Sequence, residues 1–247
     1  MAAAALWSCA LLLCSLAGAP DVRAAEVSLA QFSSAPGAQP PAPWRVVGVP
    51  GGKIPLTDFA LTTLDGRKVV RVTTAGSYGN LVHDLPPQPS GPTMRLQWRW
   101  QLEAPLRGAN LRIRQGDDSP LKVCVLFDMP LDQLGFVERN LLRVARAASA
   151  ENLPSATLCY VWDHTLEPET LLANAYTSRV RMIVVNQGEQ QLGQWVAHSR
   201  ALSADFLRAF GAETSSVPPI LAVLIGGDSD NTAGRSVGYI GDVQLDR

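Results

Sequence analysis

Apolar and polar residues alternate along much of the chain, in short runs bounded by Gly, Pro, Asn and Asp. The clearest run is Met94-Arg95-Leu96-Gln97-Trp98-Arg99-Trp100-Gln101-Leu102. Side chains alternate across a strand, so Leu96, Trp98, Trp100 and Leu102 share one face and Arg95, Gln97, Arg99 and Gln101 the other. Similar runs predict strands over 44–49, 58–64, 68–74, 78–84, 94–102, 111–114, 121–128, 156–163, 178–186, 220–226 and 236–245. Asp65-Gly66, between two of them, marks a tight hairpin. Helical spacing occurs twice. Residues 131–148 set Leu134, Val137, Leu141, Val144 and Ala148 on one stripe, flanked by Arg139, Arg143 and Arg146. Ser203 opens a shorter helix that reaches Phe210 and ends at Gly211. So many strands with two helical excursions predict a mostly β fold, an antiparallel β-sandwich of jelly-roll type. An α/β fold would place helices after most strands.

The amino terminus departs from this pattern. Residues 2–19 are nearly all small or apolar, a run too short for a comfortable membrane span, and Val22-Arg23-Ala24-Ala25 offers small residues to a signal peptidase. The expected organisation is a signal peptide over 1–25, a flexible leader over 26–43 and a β-sandwich domain over 44–247. A bacterial protein so built is periplasmic or secreted, with no membrane span in the mature chain. The mature chain keeps Cys124 and Cys159, which in an oxidising compartment form one disulfide or stay as buried thiols on neighbouring strands.

Charge narrows the partners. The 21 Lys+Arg nearly cancel the 22 Asp+Glu, which argues against the broad basic surface that most nucleic-acid binders need. Lysine occurs only at positions 53, 68 and 122, so the basic residues are mostly arginine. Arg95 and Arg99, Arg112 and Arg114, and Arg179 and Arg181 recur on the polar faces of three expected strands. If those strands share a sheet, its face is an arginine-rich groove suited to an acidic glycan, because guanidinium forks match carboxylates and sulfates. Alternatively the arginines pair with Asp117, Asp118, Asp128 and Asp163 or stand in water. Tyr78, in a glycine-flanked segment, and Tyr176 are candidates to stack on a sugar. Trp44 and Trp195 are freer to do so than Trp98 and Trp100, which share the apolar face.

Catalytic signatures are weak: no P-loop, H-E-x-x-H or G-x-G-x-x-G turn occurs, and the G-x-S-x-G match Gly234-Arg235-Ser236-Val237-Gly238 runs into the expected strand 236–245 rather than forming a strand-to-helix elbow. His83, His164 and His198 lack zinc-ligand spacing. A lyase acting on uronates needs a cation to neutralise the carboxylate and a His or Tyr base. Arg112, Arg179, Tyr78, Tyr176, His83 and His164 supply those types, but no spacing selects them. The turn Gly226-Gly227-Asp228-Ser229-Asp230-Asn231-Thr232 gathers Asp228, Asp230 and Asn231, a weak Ca²⁺ site or an ordinary Asx-turn. No other cofactor is expected.

Several blocks stand in a familiar order: Trp98-Arg99-Trp100, Gly116-Asp117-Asp118, Phe127-Asp128, Leu153 to Trp162, Tyr176 to Arg181 and Asp228 to Thr232. In these the chain resembles an uncharacterised bacterial family of exported proteins, a domain of unknown function, over roughly residues 44 to 245. That resemblance implies export and carries no activity. The ending Tyr239-Ile240-Gly241-Asp242-Val243-Gln244-Leu245 is similar to the last strand of carbohydrate-binding jelly rolls. The expected function is non-catalytic binding of an acidic or polyhydroxylated envelope glycan. The alternatives are a polysaccharide lyase or glycoside hydrolase on the same scaffold, and a protein-interaction module docking through helix 131–148.

Overall fold

A computed structural model describes residues 27–49, 51–148 and 153–246; the expected signal peptide lies outside them. The chain runs through β1 (Val27–Ala30), β2 (Arg45–Val47), β3 (Asp58–Leu64), β4 (Arg67–Ala75) and β5 (Tyr78–Gln88). Strands β6 (Arg95–Ala104) and β7 (Lys122–Phe127) lead to helix α1 (Phe136–Ala148). Then come β8 (Ala156–Asp163), β9 (Leu171–Ala173), β10 (Val180–Gln187), β11 (Val196–Ala201) and helix α2 (Leu202–Phe210). Strands β12 (Ile220–Asp228), β13 (Arg235–Ile240) and β14 (Val243–Asp246) finish the described chain. Two seven-stranded sheets form, one ordered β1-β14-β6-β13-β4-β3 with β11 also on β6, the other β2-β5-β12-β7-β8-β10-β9. Pairing is antiparallel except between β8 and β10. The fold is a mostly β, jelly-roll-like sandwich with two helices.

Strand β6 follows its alternation closely. Leu96, Trp98, Trp100 and Leu102 are buried between the sheets. Trp98 lies 5.1 Å from the Tyr160 ring and Trp100 6.0 Å from Trp162, both on β8 of the opposite sheet. The indole N–H of Trp100 donates to Asn186 Oδ1 at 2.8 Å and that of Trp162 to the Gly188 carbonyl at 3.0 Å, so neither buried donor is orphaned. Helix α2 seals one end, with Phe206 4.6 Å from Phe127 and 5.0 Å from Phe210.

The second sheet is apolar on both faces. All eight positions of β8 are buried. Leu158, Tyr160 and Trp162 face the sandwich, while Cys159 and Val161 join Val82, Leu111, Cys124, Met182, Val184, Ala222 and Leu224 in a separate cluster on the far face. Cys124 and Cys159 sit directly opposite each other on β7 and β8 and are joined by a disulfide.

Four expectations need correction. Residues 27–35 are part of the domain: β1 pairs with β14, and Leu29, Ala30, Phe32 and Ala35 lie in the core. A Ser- and Pro-rich composition hid the few apolar anchors that hold this segment. Residues 111–114 form no strand. Asn110 Oδ1 accepts the Arg112 N–H and Asn110 N–H donates to the Gly116 carbonyl at 2.7 Å, folding the segment into turns; Leu111 is buried while Ile113 is exposed. Residues 236–245 divide into β13 and β14, which pair with different halves of β6. Of the stripe expected over 131–148, Val137, Leu141 and Val144 are exposed on α1, Leu134 is buried just before it, and Leu142, off the stripe, is buried. The Asp65-Gly66 turn has φ of 51° and 73°, as a two-residue hairpin requires.

Candidate functional site

The far face of the second sheet forms the floor of a cleft of about 640 Å³. The strand register sorts that floor into rows. Across β5 and β12, Tyr78 stands beside Asp228. The next row is Asn80, Gly226, Lys122 and Val161. Then come Val82, Leu224, Cys124, Cys159 and Met182, entirely apolar. Asp84, Ala222, Leu126, Thr157 and Val180 make the last. One end of the cleft is therefore polar and its middle is aliphatic.

Lys122 anchors the polar end. Its ammonium lies 3.0 Å from Asp228 Oδ2 and 5.0 Å from the Tyr78 ring centroid. Burial works against the charged ammonium, but Asp228, Tyr78 and Asp117 outweigh it and raise its pKa, so Lys122 stays protonated. Gly226 makes room for the lysine stem: a Cβ there would lie 2.5 Å from both Lys122 Cε and Asn80 Oδ1. Asp228 Oδ1 accepts the Ser119 N–H at 3.0 Å.

A loop over residues 105–121 walls this end and is tied down by Asp118. That carboxylate accepts from Asn231 N, Asn231 Nδ2, Thr232 N and Thr232 Oγ1, at 2.6–3.2 Å. Next to it, Asp117 accepts from Asn174 Nδ2 at 2.5 Å. Burial, partly offset by that hydrogen bond and by Lys122 and reinforced by the Asp228 and Asp118 charges, pushes its carboxyl up to about 6. Asp230 is raised by burial and by Asp228. Two acceptors lining the cleft, Asn80 Oδ1 and Asp230 Oδ1, are buried without any hydrogen-bond partner.

Of the expected site residues, the cleft gathers Tyr78, Tyr176, Asp228, Asp230 and Asn231. The Tyr176 hydroxyl donates to Asn231 Oδ1 at 2.8 Å. Carboxylate oxygens of Asp118, Asp228 and Asp230 come within 4.8 Å of one another. The positive charge among them is already supplied by Lys122, and Asn231 Oδ1 already takes the tyrosine proton. The Asp118 and Asp228 carboxylates thus already accept from protein donors, whereas Asp230 Oδ1 has none.

The arginines do not converge, because their strands fall in different sheets. Arg95 and Arg99 are on β6 of the first sheet. Arg95 donates to Ser199, and the Arg99 guanidinium lies 4.6 Å over the Trp195 ring. Arg112 and Arg114 sit in the 111–116 turns, where Arg114 donates to the Ala175 carbonyl. Arg179 and Arg181, at the start of β10, share Glu213, and Arg179 also meets Glu138 at 3.4 Å. Charge partners here are glutamates, not the aspartates expected. Trp44 is buried in the core, and none of the described tryptophans lines the cleft. His83 stands edge-on to Trp44, and His198 Nε2 lies 2.7 Å from Asn186 Oδ1.

Lys122, Asn80 and Asp117 escaped the sequence reading as site residues. A signal existed: 121–128, 156–163 and 220–226 are apolar on both faces, unlike 94–102, and Lys122 is, apart from the terminal Asp128, the one charge within its run. Strands buried on both faces read as continuous apolar runs.

Together these features define a jelly-roll-like sandwich whose second sheet carries a cleft with an acidic, hydrogen-bonding end. The chain belongs to the family described as "Protein of unknown function (DUF3047)", whose model matches residues 42–244. No curated protein matches it in sequence. Among solved structures it is similar to the family 11 carbohydrate-binding module of the cellulase Lic26A-Cel5E of Clostridium thermocellum, at 8% identity and a TM-score of 0.43, covering 90% of this chain and 94% of that one. It is also similar to the family GH12 endoglucanase 3 of Trichoderma harzianum, at 9% identity and a TM-score of 0.41, covering 84% and 99%. Humicola grisea Cel12A aligns at 10% identity and a TM-score of 0.42, covering 89% and 98%.

Proposed function

We propose that this is an exported, non-catalytic binding protein whose cleft holds an uncharged, polyhydroxylated sugar of the bacterial envelope. The observation that carries the reading is the pair of unpartnered buried acceptors, Asn80 Oδ1 and Asp230 Oδ1, at the polar end of the cleft. A buried acceptor without a donor is costly, and sugar hydroxyls are donors that would satisfy it. Tyr78 and Tyr176 flank that end and offer ring faces to a pyranose. Charge selects between the two glycan classes expected. Asp117, Asp118, Asp228 and Asp230 surround a single ammonium, so a neutral sugar suits the site better than a uronate or sulfate.

Binding of neutral oligosaccharides, followed by calorimetry across a glycan panel, tests this reading. Tyr78→Ala should weaken the best ligand about tenfold, the worth of one aromatic contact. Asn80→Ala should weaken it comparably, and Arg95→Ala with Arg99→Ala should leave it unchanged. Loss of binding in the arginine variants with none in Tyr78→Ala would sink the proposal.

A hydrolase is the second reading, and Asp117 favours it. A carboxyl with its pKa near 6 keeps a proton close to neutral pH, as a general acid requires. Release of reducing ends from a bound oligosaccharide, abolished by Asp117→Asn, would make the protein an enzyme. A new absorbance at 235 nm with polyuronates would instead mark a lyase.

A further inference from the structure

The cleft floor is too apolar for a sugar alone. Sugars present their C–H faces to flat aromatic rings, yet the central row here is Val82, Leu224, the Cys124–Cys159 disulfide and Met182. Leu126, Val161 and Val180 widen this aliphatic strip, and Val47, Val49 and Ile54 overhang it from the β2 side. Aliphatic walls of this kind, with unpartnered polar atoms at one end and the already paired Arg45 and Asp84 at the other, match a ligand that has an apolar body and a hydrogen-bonding head. We propose that the ligand is an amphiphile, a sugar head bound at Asn80, Asp117 and Asp230 with an alkyl chain lying along the Val82–Met182 row. This deepens the glycan reading and rests on it for the head alone.

A different observation points to the source of such a molecule. On α1, Phe136, Val137, Leu141 and Val144 are 66–75% exposed. The helix sits at the cleft rim: Glu138 bonds Ser178, next to the lining residue Thr177, and Arg146 donates to the carbonyl of Leu153, which also lines the cleft. Arg139, Arg143 and Arg146 are its basic residues, and Glu138, its only acid, already meets Arg179. An apolar stripe with a basic flank is the composition of a helix that lies in the interface of an anionic bilayer. The geometry assigns α1 to that surface, with the cleft opening beside it.

Alkyl β-D-glucosides of rising chain length, from methyl to octyl and below their micelle concentrations, test the chain site on the full purified protein. Affinity should rise about three- to fourfold per methylene, as about 0.8 kcal/mol per buried CH₂ implies. Met182→Gln, close in size, should flatten that rise and leave methyl glucoside binding unchanged, with near-UV circular dichroism confirming the fold. A flat series in the native protein overturns the alkyl-chain proposal while sugar binding survives. A rising series without any binding of neutral oligosaccharides overturns the glycan reading and leaves the apolar site standing. For α1, the protein should sediment with vesicles of phosphatidylcholine and phosphatidylglycerol and not with phosphatidylcholine alone. Val137→Asp with Leu141→Asp should release it. Sedimentation that ignores these substitutions overturns the bilayer assignment. So does a dimer in analytical ultracentrifugation that they dissolve.

Discussion

At the scale of single residues, His198 and Lys122 carry the plainest consequences. Asn186 Oδ1 accepts from the Trp100 indole and faces His198 Nε2 at 2.7 Å, so the ring keeps its proton on Nε2. Burial, aided by the Arg200 charge and opposed by Glu169, lowers the His198 pKa to about 4. Between about pH 4 and 6.5 the unfolded chain binds a proton there that the folded chain refuses. Stability should therefore rise with pH across that window and be lost as pH falls toward 4. His198→Gln keeps a donor for Asn186 and should make the thermal midpoint less sensitive to acid over the same range. Asp117 acts in the opposite sense. Its raised pKa means the folded state holds a proton that the unfolded state has released between about pH 4 and 6, so this group costs stability as pH rises. Asp117→Asn should raise the midpoint at pH 7 and leave it nearly unchanged at pH 4. Lys122→Met would strand Asp228 without its cation and should cost about 3–5 kcal/mol by urea denaturation. Adding Asp228→Asn should recover much of that loss.

At the scale of elements, β8 and β10 show how the cleft is held. The disulfide ties β7 to β8 across 35 residues of chain that include α1. The chain-entropy model values such a loop at about 3–4 kcal/mol. Cys124→Ala with Cys159→Ala should lower stability by about that amount and leave the strand register intact, read by amide exchange of β7 and β8. The start of β10 is fixed by a second device. Glu213 neutralises Arg179 and Arg181, and Arg181 also donates to the Ala209 carbonyl and lies 4.4 Å over Phe210. These arginines bind α2 to the sheet, which is why their removal should cost stability rather than ligand affinity. The Arg179 and Arg181 alternation was legible in the sequence, but its meaning was not, because Glu213 lies more than thirty residues away.

At the scale of the whole molecule, the domain reaches further toward the amino terminus than composition implies. Phe32 is fully buried with its ring 5.4 Å from Trp44, and Ser33 donates twice to Asp242. Phe32→Ala should cost about 3–5 kcal/mol, as for other buried aromatics; a loss below 1 kcal/mol in urea denaturation would return this segment to the status of a leader. The alternating strands, the Asp65-Gly66 hairpin and both helices could be read directly, because period and turn chemistry are local. The doubly apolar character of 121–128, 156–163 and 220–226, which marks the sheet that carries the cleft, is also local in the sequence, although the expected site did not use it. Which strands share a sheet, and in what register, is decided by contacts between residues far apart in the chain. Tertiary structure alone therefore set the six arginines apart. The same register brought Tyr78, Asn80, Lys122 and Asp228 to one end of one cleft, where the loops that carry Asp117 and Asp230 close over them.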